Sequence, residues 1–289
     1  MNITYAHEHV KLNLATPDKP NRILNDFEAT VREFKKLKSL GVERMVDLTN
    51  MGMGRDVAFI NKVALETGIK IAVATGYYKE PYFPAEVYNN DEHFLAKKMI
   101  AEITVGIEDT GIKAGVIGEI GSSLNVITPA EEKVFIAAAM VQVETGMPLI
   151  THTTLATKPL EQIALLKKYN VNLSQVVISH MDLSKSLSDI VKVLDTGVNI
   201  GFDTIGKLNY QPDETRAEYL KALCDKGYTS QIVMSVDITN NNALEKNGGI
   251  GYAYLIEKFL PLLDIKEADL NKILCENPDR IFARSFKNE

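Results

Sequence analysis

Short apolar runs rich in Val, Ile and Thr alternate along the chain with longer stretches of helical period. The runs fall at residues 3–6, 44–49, 70–75, 114–119, 148–151, 176–179, 198–202 and 232–236. Such runs fit strands buried on both faces, as in a parallel sheet covered by helices. Between them, residues 26–40 place Phe27, Val31, Phe34, Leu37 and Leu40 on one side, with Gly41 following as a stop. Thr128-Pro129-Ala130-Glu131 reads as a helix start: a capping hydroxyl, proline at the first helical position and glutamate at the third. Pro212-Asp213-Glu214 opens another helix, which Gly227 ends. Eight strands joined by helix-length connections predict a closed (β/α)8 TIM barrel of the α/β class. An open doubly wound sheet would more often carry a Gly-rich phosphate loop after its first strand. Here that position reads His7-Glu8-His9.

Length and composition narrow the picture without changing it. A barrel of about 250 residues fits the 289 present. No linker, low-complexity tract or charge block divides the chain, so residues 1–289 are read as a single barrel domain. A C-terminal extension at 266–286 reads as one or two helices packed against it. The formal charge of −6 lacks the basic face that phosphate binding needs, which argues against nucleic acid as a partner. The apolar stretch at 134–143 falls short of the about 20 residues that a spanning helix requires. MNITYAHEHV shows no basic start followed by an apolar run, so a cytoplasmic protein is expected. Cys224 and Cys275 lie in helical stretches and read as reduced, buried thiols.

The histidines carry the chemistry. There are five, and four fall just past the ends of predicted strands: His7 and His9 after the first, His152 after the fifth, His180 after the sixth. Glu119 ends the fourth strand and Asp237 follows the eighth. In barrels of this kind, catalytic groups come from the carboxyl ends of several strands. Residues two apart in an extended segment point the same way, so His7 and His9 can address one ion. Imidazoles and carboxylates suit zinc and related divalent ions, and such an ion lowers the pKa of bound water toward about 7. Any one of these residues alone is more often a structural histidine or a helix cap. Six of them at one end of the barrel predict a metal site. His93 sits in a polar helix start and receives no role.

His7-Glu8-His9, Gly118-Glu119-Ile120-Gly121, Thr151-His152-Thr153, Ser179-His180 and Ser235-Val236-Asp237 together resemble the phosphotriesterase family of the amidohydrolase superfamily. The likeness is strongest to its phosphotriesterase-homology branch and runs from about Thr4 to Phe282. Thr49-Asn50, Met53-Gly54-Arg55-Asp56, Ala74-Thr75-Gly76-Tyr77-Tyr78, the segment Phe202-Asp203-Thr204-Ile205-Gly206-Lys207 and Asn247-Gly248-Gly249 support it. The resemblance implies a distorted barrel with two divalent ions, zinc ranked first and Mn2+, Co2+ or Fe2+ as alternatives. His7, His9 and Asp237 would hold the more buried ion, and His152 and His180 the more exposed one. A strand-four carboxylate and a hydroxide would bridge them, with Asp237 accepting or shuttling the proton. Many members carry a carboxylated lysine on strand four, whereas this chain has Glu119, whose shorter reach requires the backbone or the ions to shift. Lys113, at the far end of that strand, is a poor substitute.

For the substrate, Tyr77, Tyr78, Lys207 and Lys246 are the candidates, each in a loop that follows a strand. Arg55 suits a structural neighbourhood with Asp56 better than a substrate. The polar loop from Thr239 to Tyr252 reads as a lid or substrate-reading loop. The resulting expectation is hydrolysis of a small-molecule ester-like bond, a carboxylic ester or lactone before a phosphotriester, with an anionic sugar lactone compatible. A metal-binding protein with little catalysis is the alternative from another class, and a deaminase ranks below both. No membrane partner is expected, and a homodimer is left open.

Overall fold

The computed structural model describes residues 2–286. Eight parallel strands follow one another in chain order: β1 (Ile3–Glu8), β2 (Val42–Asp47), β3 (Lys70–Thr75), β4 (Val116–Ser122), β5 (Leu149–Thr153), β6 (Val176–Ile178), β7 (Asn199–Phe202) and β8 (Ile232–Met234). Helices connect them, and the whole is the expected (β/α)8 barrel. Ala6, Val46, Ala74, Val116, Ile150, Val177 and Val233 meet in one inner cluster, so the barrel is a packed core rather than a pore. Ile281 and Phe282 join that cluster from the C-terminal helical turns Glu267–Asn271, Lys272–Glu276 and Asn277–Ile281. They close the end of the barrel where the strands begin. Just before β4, Gly115 lies so close to the Ser285 backbone that a Cβ there would stand 2.4 Å from its carbonyl oxygen.

Local signals formed as their chemistry dictates. Asp26 caps the helix Phe27–Ser39 by accepting from the Ala29 N–H. Thr128 and Glu131 make a reciprocal capping box at the start of Pro129–Thr145. The helix Asp213–Asp225 begins after Pro212. Cys275 is buried and Cys224 half-buried, both as free thiols. No helix among the described residues is long and apolar enough to cross a membrane.

Two strands differ from the expected runs in a way that matters for the site. β1 continues through His7 to Glu8, with a register shift against β2 between Tyr5 and Glu8. β4 continues past Glu119 to Ser122, with a register shift against β5 between Ile117 and Ile120. Glu119 is therefore inside its strand rather than at its end. Such irregularities break the simple alternation of side chains and re-aim the residues that sit on them.

The barrel closes at the seam between β8 and β1 by a side chain. The buried Glu8 carboxylate accepts at Oε1 from the Ser235 hydroxyl (2.9 Å) and from the Val236 and Asp237 N–H groups (2.7 and 3.1 Å). Its Oε2 accepts from the Ile238 N–H at 3.0 Å. The His7 N–H reaches back to the Ser235 hydroxyl at 3.2 Å. One carboxylate thus satisfies four donors of the segment that leaves β8, where Asp237 adopts a left-handed φ of 58°. Replacing it by alanine leaves those donors buried without an acceptor. E8A is expected to lower the unfolding free energy by roughly 3–5 kcal/mol, and E8Q by less, because it keeps one carbonyl oxygen. Urea unfolding checks this, and an E8A loss under about 1 kcal/mol would contradict the role given to the seam.

Candidate metal centre

The carboxyl ends of five strands deliver the six predicted residues to one place. His7 lies in β1 and His9 just beyond it, Glu119 in β4, His152 in β5, His180 two residues after β6 and Asp237 three residues after β8. His9 Nε2 stands 3.4 Å from Glu119 Oε1 and 3.3 Å from Asp237 Oδ1. His7 Nε2 lies 3.6 Å from Glu119 Oε2 and 3.8 Å from Asp237 Oδ1. On the other side, Glu119 Oε2 is 3.0 Å from His152 Nδ1 and 3.8 Å from His180 Nε2. Glu119 therefore turns Oε1 toward His9 and Oε2 toward His7, His152 and His180, and so stands between the two groups of imidazoles.

The His7 and His9 spacings fit a divalent ion better than hydrogen bonds, whereas His152 Nδ1 is within hydrogen-bond distance of Glu119 Oε2 and, at 2.9 Å, of His180 Nε2. Tetrahedral ligands about 2.0–2.2 Å from one zinc sit roughly 3.3–3.6 Å from each other. His7 Nε2 is buried and has no hydrogen-bond partner, although it points at two carboxylates. His7, His9 and Glu119 form one group able to hold an ion, and Glu119, His152 and His180 form another. A third grouping of His7, His180 and Asp203 has a different character. Asp203 lies behind both rings: its Oδ1 bonds His180 Nδ1 at 2.8 Å and its Oδ2 stands 3.1 Å from His7 Nδ1, within ion-pair range but without a hydrogen bond, which makes it an orienting group rather than a ligand.

Other groups fix the remaining donors. His9 Nδ1 meets the Thr49 hydroxyl at 2.9 Å, and His7 Nδ1 also meets the Ser179 hydroxyl at 2.9 Å. The Asn50 amide donates to the Gly118 and Glu119 carbonyls at 3.0 and 2.9 Å, which pins the backbone that carries the bridge. The His180 N–H also donates to Asp203, at 2.7 Å, and holds His180 in its left-handed conformation (φ 62°). Behind Asp203, the fully buried Arg216 pairs with Asp182 and Asp213 at 2.7 and 2.8 Å. Neither Asp203 nor Arg216 stands out in the sequence. The signal for Asp203 was its place directly after β7, at the same end of the barrel as Asp237.

The electrostatics follow from six polar groups packed against one another with little exposure. Burial would raise the Glu119 carboxyl, but His7, His152, His180 and His9 hold it well below the usual carboxylate range. Asp237 is likewise held low against burial, by Lys207 first and then by His9, His7 and His180. Burial would depress His9, yet the Asp237 and Glu119 carboxylates push it up to about 10. His152 goes the other way, down to about 4, because burial outweighs the pull of Glu119. The carboxylates demand positive charge, which a cation at the same place would supply.

His9, Glu119, His152, His180 and Asp237 line the floor of a cavity of about 850 Å3, and His7 lies buried beneath them. Tyr78 and Lys207 line it, whereas Tyr77 and Lys246 do not. Tyr78 lies with its hydroxyl 3.3 Å from His152 Nε2. Lys207 is ion-paired with Asp237 Oδ2. Tyr77 is buried and donates to Glu86 at 2.9 Å, while Lys246 pairs with the helix-capping Asp26. The structural reading of Arg55 holds with a different partner: its guanidinium grips Glu102 in two bonds of 2.7 and 2.8 Å, and Asp56 instead caps a helix and pairs with Lys11. From the loop of residues 239–252, Thr239, Asn240, Ala243 and Ile250 reach the cavity.

A (β/α)8 barrel with this donor set at the carboxyl ends of its strands defines a metal-dependent hydrolase. Residues 1–282 match the Phosphotriesterase family, and the chain belongs to that family. It is 42% identical over 283 residues to the phosphotriesterase homology protein of Escherichia coli, covering 96% of this chain and 97% of that one. The crystal structure of that relative, with phosphate in its active site, superposes with a TM-score of 0.95 over 97% of this chain and 98% of its own. The N-acetyltaurine hydrolase of Dictyostelium discoideum is 34% identical, over 90% of this chain and 74% of its own. A lactonase of Listeria monocytogenes is 28% identical, with a TM-score of 0.91 over the whole of this chain and 95% of its own.

Because Asp203 orients two imidazoles that face different halves of the site, D203N is expected to weaken metal affinity by about 10–100-fold. Competition against a chromophoric zinc chelator measures it. Unchanged affinity in a folded D203N protein would contradict the orienting role.

Proposed function

We propose that this chain hydrolyses a carboxylic ester or lactone, with the reacting carbonyl seated over a two-ion site made by His7, His9, Glu119, His152, His180 and Asp237. The observation that carries the reading is the convergence of six donors, five on the floor of a cavity large enough for a small molecule and one, His7, with an unpartnered nitrogen buried against two of them. Divalent ions held there supply Lewis acidity and lower the pKa of coordinated water toward about 7. Mixed nitrogen and oxygen donors suit zinc first, with manganese, cobalt or iron(II) as alternatives.

The roles of the chain's own groups follow from their placement. Asp237 turns Oδ1 toward His7 and His9 and Oδ2 toward Lys207. It is the group placed to take the proton from the attacking water, while Lys207 steadies its second oxygen. Glu119 keeps the two halves of the site in register. Tyr78 walls the cavity beside His152, its ring 4.9 Å from the imidazole, and limits how a substrate approaches the more open side. The likeness to a lactonase supports a cyclic ester, and the likeness to N-acetyltaurine hydrolases supports a second reading, cleavage of a small N-acyl amide. Both are attack on a carbonyl carbon and ask the same of Asp237.

A panel of lactones, carboxylic esters, N-acyl amides and an aryl dialkyl phosphate, tested with metal-replete protein, decides among them. Lactones or carboxylic esters are expected to show the highest kcat/KM. Cleavage of the aryl phosphate alone would reverse the preference, and no turnover of any substrate would favour a binding protein. D237N is expected to lower kcat by about 10²–10⁴-fold with an unchanged unfolding transition. Full activity in D237N would remove the proposed base.

A further inference from the structure

We infer that Arg22 and Lys79 form an anion-binding subsite on the cavity wall, so that the substrate carries a small strong anion at the end remote from the bond that is cut. A sulfonate, a phosphate monoester or a carboxylate shares the required chemistry. What is cut rests on the hydrolase reading above, whereas the subsite is a claim about binding alone.

The wall runs outward from the metal ligands. The Tyr78 ring sits 4.9 Å from His152, and Tyr82 stacks on Tyr78 at 5.7 Å with the planes 28° apart. Arg22 Nη1 donates to the Tyr82 hydroxyl at 3.0 Å, and Lys79 Nζ stands 5.6 Å from the centre of the Tyr78 ring. One aromatic ring separates His152 from Lys79 and two separate it from Arg22, a span that a small bifunctional molecule bridges. Both backbones are fixed. Arg22 accepts from the Leu14 N–H at 2.9 Å, beside the two-residue ribbon Leu12–Asn13 with Ile23–Leu24. Lys79 accepts from the Tyr82 N–H at 2.8 Å, and Gly121 packs against it so closely that a Cβ there would stand 3.0 Å from that of Lys79.

These two cations are half-buried and lack a counter-ion. Among the described residues, no carboxylate lies within ion-pair distance of Arg22 or Lys79; Lys79 bonds only the Glu80 carbonyl, at 3.2 Å. Burial, with the charges of Arg22 and Lys19, draws the Lys79 ammonium below its ordinary pKa against the pull of Glu131 and Glu119. Those two carboxylates are committed elsewhere, Glu131 to Ser123 and Thr128 and Glu119 to the histidines. Lys207 is already paired with Asp237, and Lys19 lies exposed at the rim with Asp18. Partly desolvated cations facing a cavity without partners gain from an incoming anion through charge-assisted hydrogen bonds, and a guanidinium holds such a group in two bonds.

The test compares 3-sulfopropanoate with butanoate by calorimetry on zinc-loaded protein, since the two differ only in sulfonate against methyl. Wild type is expected to bind 3-sulfopropanoate about tenfold more tightly. R22M and K79M should each cut that advantage to about twofold while leaving butanoate unmoved. R22K should recover part of the advantage. Equal affinity in wild type, no binding of either probe, or an advantage that survives both substitutions would overturn the subsite. Because no turnover is read, a failure of the ester or lactone assignment leaves this difference intact.

Discussion

Buried carboxylates set the terms for this molecule. Glu119 is held ionised at the top of the barrel by imidazoles and Asp237 by Lys207 and then by imidazoles, and the His9 proton affinity is displaced upward in return. Hydrogen bonds alone do not settle the arrangement, because one imidazole nitrogen remains buried without a partner between the two acids. In this account a pair of cations completes the balance. The surrounding structure then reads as support: Thr49, Ser179 and Asp203 fix the rings from behind, and Asn50 fixes the backbone of the bridge.

The same demand explains how the barrel closes. A ladder between β8 and β1 would leave Asp237 in an extended conformation. Glu8 gathers the N–H groups of Val236, Asp237 and Ile238 onto one carboxylate instead, and the chain can turn through a left-handed residue there. Closure of the fold and the aim of the proposed base are one interaction. Most of the chemistry-bearing residues then share a floor, while Tyr78, Tyr82, Arg22 and Lys79 build a wall from loops, tied to β4 where the Tyr78 carbonyl accepts from the Gly121 N–H at 2.6 Å.

Much of this was legible in the chain because it is written locally. Strands buried on both faces leave continuous apolar runs, and Thr128 to Glu131 spells a capping box in four residues. Histidines are rare here, so four beside strand ends formed a pattern. What escaped depends on distant partners. The extension of β4 beyond Glu119 comes from pairing with β5, through Gly121 and His152, rather than from apolarity. Asp203 reads as an ordinary loop acid until His7 and His180 fold onto it. Arg55 has an acid beside it in sequence yet takes Glu102, 47 residues away. Lys246 and Tyr77 looked like pocket residues by loop position, but Asp26 and Glu86 claim them. Arg22 and Lys79 carried no local signal, since only the lack of a counter-ion among the described residues distinguishes them.

Metal analysis of the purified protein, paired with anomalous diffraction at the zinc edge, tests the central claim most directly. The account predicts two ions per chain, both within coordination distance of Glu119, one beside His7 and His9 and the other beside His152 and His180. A well-folded protein that takes up no divalent ion, or one whose ions lie away from Glu119, would contradict it.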